Sequence, residues 1–418
     1  MKAIKKVGIL SLGCPRNLVD SESILGRINA KGYSVVDMNK ADIGIINTCA
    51  FIEDAKKESI DAILDLLELK KEGRLERVIV YGCLSQRYKE QLSREFPEVD
   101  AFVGRVSLNH ETRRYPLTPA HFAYLKICES CVNNCSFCII PKIKGRFQSL
   151  DMDSVLRKVE GFNKQGVSEL NIIGQDITGF GMDLYKRPRL SWLLREILKK
   201  ATDIDWIRLL YLYPNRISEE LLELISSEKK FCKYIDLPIQ HINQRILSLM
   251  NRDTTKEETI KLIAKIRKII PGVVLRTSII AGFPSETEKE FKELLRFLKE
   301  VRFERLGAFI YSREENTPAY GFQGQIPEKI KIERFDAIMS LQREVSSEVN
   351  SRMIGQIIDV LIDEEENGSY LGRSQYDAPE VDGLVYVRSK QKLKAGDFVK
   401  VKINDTLEYD LIGEVVKR

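Results

Sequence analysis

The sequence lacks any apolar run of the roughly 18 residues that a membrane-spanning helix needs, so no transmembrane helix and no membrane partner are expected. It also lacks an excess of charge of one sign. Its 66 Lys and Arg stand against 61 Asp and Glu, and a net +5 is too weak to announce a nucleic-acid partner. Histidine is scarce, with three in 418 residues. His110 and His121 have no second His or acidic residue at ligand spacing and read as solvated, which argues against a His-ligated metal. The opening MKAIKKVGILSLGC imitates a signal peptide but has no small-residue cleavage site, and Gly8 and Gly13 favour a first strand. Eight Cys without secretory features point to a reducing, cytoplasmic setting and to metal or catalytic thiols rather than disulfides.

What the chain does have is a clustered set of thiols. In KICESCVNNCSFCIIPKIKG, Lys126 to Gly145, Cys131, Cys135 and Cys138 stand at C-x3-C-x2-C spacing. Such a loop can place three thiolates on three corners of an iron-sulfur cubane and leave one iron without a protein ligand. Most 4Fe-4S clusters are closed by a fourth Cys; an open corner is a place for chemistry, as it is in a catalytic zinc site. Cys128 extends the run to C-x2-C-x3-C-x2-C, so a closed cluster and a four-thiolate zinc remain as alternatives, although zinc pairs usually stand farther apart. The spacing, with Phe137 between the last two thiols, resembles the radical S-adenosylmethionine superfamily. The resemblance implies a 4Fe-4S cluster on Cys131, Cys135 and Cys138 whose free iron chelates S-adenosylmethionine, with Phe137 near the adenine. Cys128 departs from that pattern and reads as a buried residue at a strand end.

A chain of 418 residues with 43% hydrophobic content holds two or three domains. In the first, VGILSLGC, ADIGIINTC and RVIVYGC end at Cys14, Cys49 and Cys83, and helical stretches follow at Asp20 to Ala30, Ala55 to Lys71 and Arg87 to Phe96. This β-α rhythm with nearly continuous apolar strands predicts a parallel sheet covered on both faces. The Cys are 35 and 34 residues apart, one unit each, so the carboxyl edge of the sheet gathers all three where ligands bind. Three buried core thiols are the competing reading. The same position in three successive units favours a second cluster with one open iron.

Three Cys in an amino-terminal domain ahead of a radical S-adenosylmethionine core resemble the methylthiotransferase family, which inserts CH3-S into an unactivated C-H bond. The segment Thr48 to Ile63, TCAFIEDAKKESIDAI, is similar to the branch that modifies the β-carbon of an aspartate in ribosomal protein S-twelve of the small subunit. The alternative is the sister branch acting on an isopentenylated adenosine of tRNA, and a non-catalytic iron-sulfur module on RNA stands as the contrasting class. The resemblance implies two 4Fe-4S clusters, S-adenosylmethionine, an external electron donor and a sulfur donor. It also implies three domains: residues 1–116, an α/β domain with the second cluster; 117–347, the radical S-adenosylmethionine core; and 350–418, a TRAM domain.

The segment from Glu98 to Ala123 lacks periodicity and reads as a linker. From Phe122 six strand patterns alternate with helices, the pattern of a partial (β/α)6 barrel whose site lies at the carboxyl ends of its strands. Gln175, Tyr213, Gln240, His241 and Tyr311 fall there, with Arg276 inside the fifth strand and Gly282 just after it. By resemblance, Gln175 in GQDITGFG and Gly282 in IIAGFPSET help to hold S-adenosylmethionine, and Arg276 joins them as a cofactor-contact candidate. Read from the residues alone, Gly282 is equally a turn glycine, His241 a hydrogen-bonded core histidine and Cys232 structural. Pro327 to Met353 reads as an amphipathic helix on the barrel. After Gly355, short alternating runs predict a five-stranded antiparallel, OB-like barrel. From Met353 on, 13 Asp and Glu face 9 Lys and Arg, a balance that suits a basic protein better than RNA. The Asp363 to Glu366 run reads as a solvated turn.

Overall fold

The structure, a computed structural model, describes residues 4–104 and 114–416, so His110 lies outside the described residues. The amino-terminal domain is a parallel sheet of β1 (Lys6–Ser11), β2 (Ser34–Val35), β3 (Ile43–Thr48), β4 (Arg77–Gly82) and β5 (Ala101–Val103), in the order β2-β1-β3-β4-β5. Helices α1 (Pro15–Ala30), α2 (Glu53–Lys71) and α3 (Cys83–Glu95) pack on it. The order reverses between β1 and β3, and the crevice outside the carboxyl ends at such a reversal is a binding position. Strands β2 and β5 were not legible in the sequence, because two- and three-residue strands carry no periodicity. The expected linker from Glu98 therefore begins with an edge strand. Pro15 is the first residue of α1 and Cys14 its N-cap, so the helix begins at the Cys itself rather than at Asp20.

The central domain opens with β6 (Phe122–Lys126) and a short antiparallel pair, β7 (Cys128–Glu129) with β8 (Gln148–Ser149), which frames the cysteine loop and α4 (Ile140–Lys144). Then β9 (Glu169–Ile173), β10 (Trp206–Leu209), β11 (Tyr234–Asp236), β12 (Val274–Ala281) and β13 (Arg305–Ile310) complete six strands in two parallel sheets, β10-β9-β6 and β11-β12-β13. Backbone bonds such as Leu212 N to Asp236 O, 3.0 Å, join the halves. The longer helices α5 (Met152–Lys164), α7 (Leu190–Lys200), α8 (Glu219–Ser227), α10 (Lys256–Ile269) and α11 (Glu288–Val301) bury their apolar faces against the outside of the arc. The short helices α6 (Met182–Tyr185) and α9 (Gln244–Leu249) lie in its loops. Capping boxes at Thr255/Glu258 and Thr287/Glu290 fix where α10 and α11 begin. Helix α12 (Glu328–Ser351) packs beside α11 and against β13, as its amphipathic pattern predicts.

The last domain is a closed barrel of β14 (Ile357–Glu366), β15 (Ser369–Ser374), β16 (Val385–Arg388), β17 (Phe398–Thr406) and β18 (Leu411–Val415). Its closing pair β16·β18 is parallel, which corrects the all-antiparallel expectation. This small barrel stoppers the amino-terminal end of the central arc. Leu361, Ala378 and Phe398 pack against Phe122, Trp206, Tyr234 and Val274, residues at the starts of the central strands. Arg208, fully buried, donates to Glu169 at 3.0 Å and to the Gln375 carbonyl at 2.7 Å, while Arg373 donates to the other oxygen of Glu169 at 2.5 Å. Arg305 binds Asp377 at 2.6 Å, and Asp382 takes Tyr234 Oη at 2.6 Å and Arg276 at 3.5 Å.

Two expectations are corrected by this floor. Asp363 is not solvated: it accepts from Arg373 at 2.8 Å and lies 2.7 Å from His121 Nε2, so His121 is buried and paired as well. Only Glu364, Glu365 and Glu366 of that run are exposed. Asp363, Asp377 and Asp382 are committed inward to Arg373, Arg305 and Arg276, so the acidic surplus facing outward is smaller than the count implied.

Candidate active site

Cys14 caps α1, Cys49 follows the last residue of β3, and Cys83 is the first residue of α3 after β4. Two of the thiols thus sit at helix amino-termini, where the backbone favours an anion. Gly13, at φ +87°, makes the approach possible: a Cβ there would stand 2.8 Å from Cys49 Cβ and 3.0 Å from its Sγ. Asn17 in the first turn of α1 ties the strand ends together, donating to the carbonyls of Leu12 at 3.0 Å and Thr48 at 3.3 Å. Burial raises the Cys83 thiol to about 12, with Cys49 and Cys14 adding to it and Lys144 opposing. Burial also raises Cys49, with Cys14 contributing. For Cys14 burial works in the same direction, but Arg16, whose Nε donates to Sγ at 3.3 Å, brings the net shift down.

Cys131, Cys135 and Cys138 lie on the loop between β7 and α4. Asn133 donates to Cys131 Sγ from its backbone N at 3.4 Å and from Nδ2 at 3.3 Å. It is itself held by Asp176 at 2.8 Å and Arg216 at 2.6 Å. Arg252 Nη1 is 3.7 Å from Cys135 Sγ. Burial and Asp176 push Cys131 up to about 11; burial and Cys135 push Cys138 up to about 12. Thiols that raise one another in this way are ligands that a cationic iron centre would deprotonate and stabilise, and all six are free. Among the described residues no three His, Cys, Asp or Glu side chains gather as ligands of a single ion. A cubane spreads its thiolates over separate corners, and two triads of Cys with donors aimed at sulfur fit that group.

Cys128 stands apart from the triad. It is fully buried, its thiol points to the Asp176 carbonyl at 3.6 Å, and burial raises its pKa well above the usual thiol value. Gly174 leaves room for it, since a Cβ there would lie 2.4 Å from Cys128 Sγ. Gly174→Ala is therefore expected to destabilise the chain by about 1–3 kcal/mol through overpacking. Adding Cys128→Ala should return most of that loss, measured by urea unfolding. A double variant no more stable than Gly174→Ala would place the steric conflict elsewhere.

The two triads belong to different domains and meet across Arg16. Its guanidinium holds Cys14 Sγ and donates from Nη1 to the Gly174 carbonyl of the central domain at 3.0 Å, lying 4.3 Å over the Tyr211 ring. Its charge offsets a little of the burial-driven rise of Cys49 on one side and of Cys138 on the other. Below it, Asp20 of α1, Lys126, Glu129 and Lys144 form a buried quartet: Lys126 binds Asp20 and, at 2.6 Å, Glu129; Lys144 binds Asp20 at 3.2 Å and Glu129 at 3.4 Å. Elsewhere Arg87 of α3 binds Glu314 after β13 at 2.7 Å, both almost fully buried. These pairs fix the carboxyl edge of the first sheet over the carboxyl ends of the central strands.

The remaining sequence candidates divide. Phe137 packs with Ile246, Met250, Phe283 and Tyr311 beside the cysteine loop. Gln175 donates to Glu129 at 3.1 Å while its buried Oε1 has no partner. Arg276 is committed to Asp236 at 3.1 Å and to Asp382. Gly282, at φ +74°, is where α12 crosses: a Cβ there would lie 2.5 Å from Lys331 Cγ, and its N–H donates to Glu286 at 2.8 Å. His241 is a core histidine, with Nδ1 accepting from Asn243 N at 2.9 Å and Nε2 3.3 Å from Glu286. Cys232 is buried and raised by burial to about 12, as a structural thiol should be. Arg16, Asn133 and Arg252 were missed; the first two stand within two residues of a triad Cys, and that adjacency was the available signal.

Three family models match this chain: "Uncharacterized protein family UPF0004" over residues 6–104, "Radical SAM superfamily" over 125–298 and "TRAM domain" over 354–416. A curated relative from Clostridioides difficile (strain 630), "Ribosomal protein uS12 methylthiotransferase RimO", is 47% identical over 439 residues, covering 98% of this chain and 99% of its own. The chain belongs to the RimO methylthiotransferase family. Another RimO, from Thermoanaerobacter sp. (strain X514), is 48% identical over 438 residues and covers 98% of this chain and 100% of its own. Among solved structures, the radical S-adenosylmethionine methyltransferase TsrM of Kitasatospora setae, with tryptophan and a S-adenosylmethionine analogue bound, aligns at TM-score 0.54 and 13% identity over 87% of this chain and 79% of its own. The cobalamin-dependent enzyme OxsB, with aqua-cobalamin and S-adenosylmethionine bound, aligns at TM-score 0.51 and 13% identity over 81% of this chain and 56% of its own. Both likenesses show the fold alone. This RimO-family chain is a radical S-adenosylmethionine methylthiotransferase, with an iron-sulfur cluster and S-adenosylmethionine as its reagents.

Proposed function

We propose that this enzyme adds a methylthio group to the β-carbon of an aspartate in ribosomal protein uS12, in the cytoplasm. In this reading each thiol triad holds a 4Fe-4S cluster with one iron free of protein ligands. The observation that carries it is the confrontation of Cys14, Cys49 and Cys83 with Cys131, Cys135 and Cys138 across Arg16, in a chain nearly half identical to proteins named RimO. When bound, the cluster of the central domain supplies the electron that cleaves S-adenosylmethionine, and that of the first domain supplies the sulfur.

The chain's own groups hold and orient. Asn133 and Arg252 aim N–H donors at Cys131 and Cys135, which stabilises anionic sulfur in one geometry. Gln175 keeps a buried acceptor free for a cofactor donor, and Phe137 gives the chamber an aromatic wall. Gly282 lets Lys331 approach, and Lys331 donates to the carbonyl of Tyr311 in that wall, while Arg276 ties Asp236 to Asp382 of the small barrel. The buried Asp20/Lys126/Glu129/Lys144 quartet ties the first domain to the central one beside the triads, and the small barrel covers the amino-terminal ends of the central strands. An external electron donor and a sulfur donor complete the reaction.

The test is side-by-side incubation of the anaerobically reconstituted enzyme with small ribosomal subunits and with isopentenylated tRNA, read by mass spectrometry. A methylthio increment on the aspartate peptide of uS12 is the expected result. Modification confined to tRNA would overturn the reading.

A further inference from the structure

We propose that Arg16 is the substrate-selecting residue of this enzyme, receiving the carboxylate of the target aspartate in the space between the two thiol triads. The inference rests on the ribosomal-protein reading and deepens it. A target aspartate brought to these triads carries a negative charge into a partly closed chamber, where an unpaired carboxylate is costly. The chamber must therefore offer a cation that no protein carboxylate has already taken.

The basic side chains around the triads differ on that criterion. Lys126 and Lys144 are shared by Asp20 and Glu129, Arg216 is bound to Asp176, and Arg276 is bound to Asp236 and Asp382. Each already has its carboxylate. Among the described residues, two guanidiniums near the triads have none. Arg252 donates to the Pro238 carbonyl and lies against Cys135, touching only the triad of the central domain. Arg16 alone reaches both domains.

Its geometry is that of a fixed clamp with one arm spare. Nε is anchored on Cys14 and Nη1 on the Gly174 carbonyl, and the plane lies over the Tyr211 ring, so the guanidinium cannot swing away. Among the described residues Nη2 makes no hydrogen bond, and it is not sealed off as a buried orphan. A planar guanidinium held this way presents a charged donor to an incoming carboxylate at little further cost in side-chain freedom. Anchored by that oxygen, the adjacent β-carbon of the aspartate is placed between the two sets of thiols. A neutral nucleobase has no group that needs this cation, so the same contact discriminates between substrate classes.

The experiment uses the full chain with its clusters reconstituted, without reductant, so that binding is read and turnover is not. The probes are small ribosomal subunits whose uS12 carries either the target Asp or Asn in its place, and the readout is the dissociation constant by fluorescence anisotropy. A charge-assisted hydrogen bond contributes about 10- to 100-fold in affinity, so the parent enzyme should prefer Asp by that factor. Arg16→Gln should bind the two alike, with iron content and S-adenosylmethionine affinity measured beside it, and Arg16→Lys should restore part of the preference. If Arg16→Gln loses iron, Arg16→Lys carries the test, because a charge without the planar fork should retain a preference reduced by several-fold. A preference for Asp that survives intact in Arg16→Gln, or in an iron-replete Arg16→Lys at full strength, overturns the proposal alone. A parent enzyme that binds neither subunit overturns the ribosomal-protein reading and this proposal with it.

Discussion

With Cys14, Cys49 and Cys83 all replaced by alanine, S-adenosylmethionine cleavage is expected to continue within about threefold of the parent rate, while methylthio product falls by at least about 10³-fold, the scale on which removing a member of a reacting constellation acts. The expectation follows from how the two triads are held. Cys131, Cys135 and Cys138 take their hydrogen bonds from Asn133 and Arg252 and sit in a loop framed by β7, β8 and α4, all within the central domain. Ile139 and Ile143 beside that loop share a core with Cys83, but among the described residues none of the three amino-terminal thiols hydrogen-bonds to these sulfurs, and Cys83→Ala keeps an apolar group in that core. Arg16 stays in place through the Gly174 carbonyl and Tyr211. Replacing Cys131, Cys135 and Cys138 should instead abolish both activities. Chromatographic release of 5′-deoxyadenosine and mass spectrometry of the product separate the two readouts, and substantial methylthio product from the amino-terminal variant would remove the second triad from the mechanism.

Glu169→Leu should be the most damaging single substitution remote from the chamber. Glu169 is fully buried at the start of β9 and, among the described residues, is the one carboxylate bound to Arg208, which is equally buried; it also takes Arg373 from the small barrel. Removing it leaves Arg208 with carbonyl acceptors only and Arg373 with Asp363 alone. Stranding one member of a buried ion pair costs about 3–5 kcal/mol, and here the loss falls on the joint between two domains. Urea unfolding should show an early transition, with residues 354–416 becoming protease-sensitive first. The contrasting control is Glu160→Gln, which breaks the exposed pair with Lys200; such a pair contributes little, and no measurable shift is expected. Equal behaviour of the two variants would refute the account of the barrel floor.

How far the sequence could be read depended on whether the cause of a feature was local. Where the six Cys stand in the fold was legible because loop spacing and strand-end position are imprinted within one loop or one β-α unit. The six central strands and α12 were legible by periodicity, and β2 and β5 were too short to show any. The ion pairs were hidden for a different reason. Arg373 and Glu169 are 204 residues apart, and Arg305 and Asp377 are 72 apart, so neither window reveals a partner. That is why His121 and Asp363 read as solvated and proved buried, and why the acidic count of the last domain overstated its outward charge. Arg16 was passed over because a basic residue beside a Cys has no periodic signature; only the fold brings Gly174 and Tyr211 to it.

The most direct test of two facing triads is the EPR spectrum of the anaerobically reconstituted and reduced full chain, compared with the spectra of the two triple-alanine variants. Two clusters held across Arg16 should give the parent a signal broadened by spin-spin coupling that neither variant shows. A parent spectrum equal to the plain sum of the two variant spectra, or one carrying a single cluster's signal, would contradict the account.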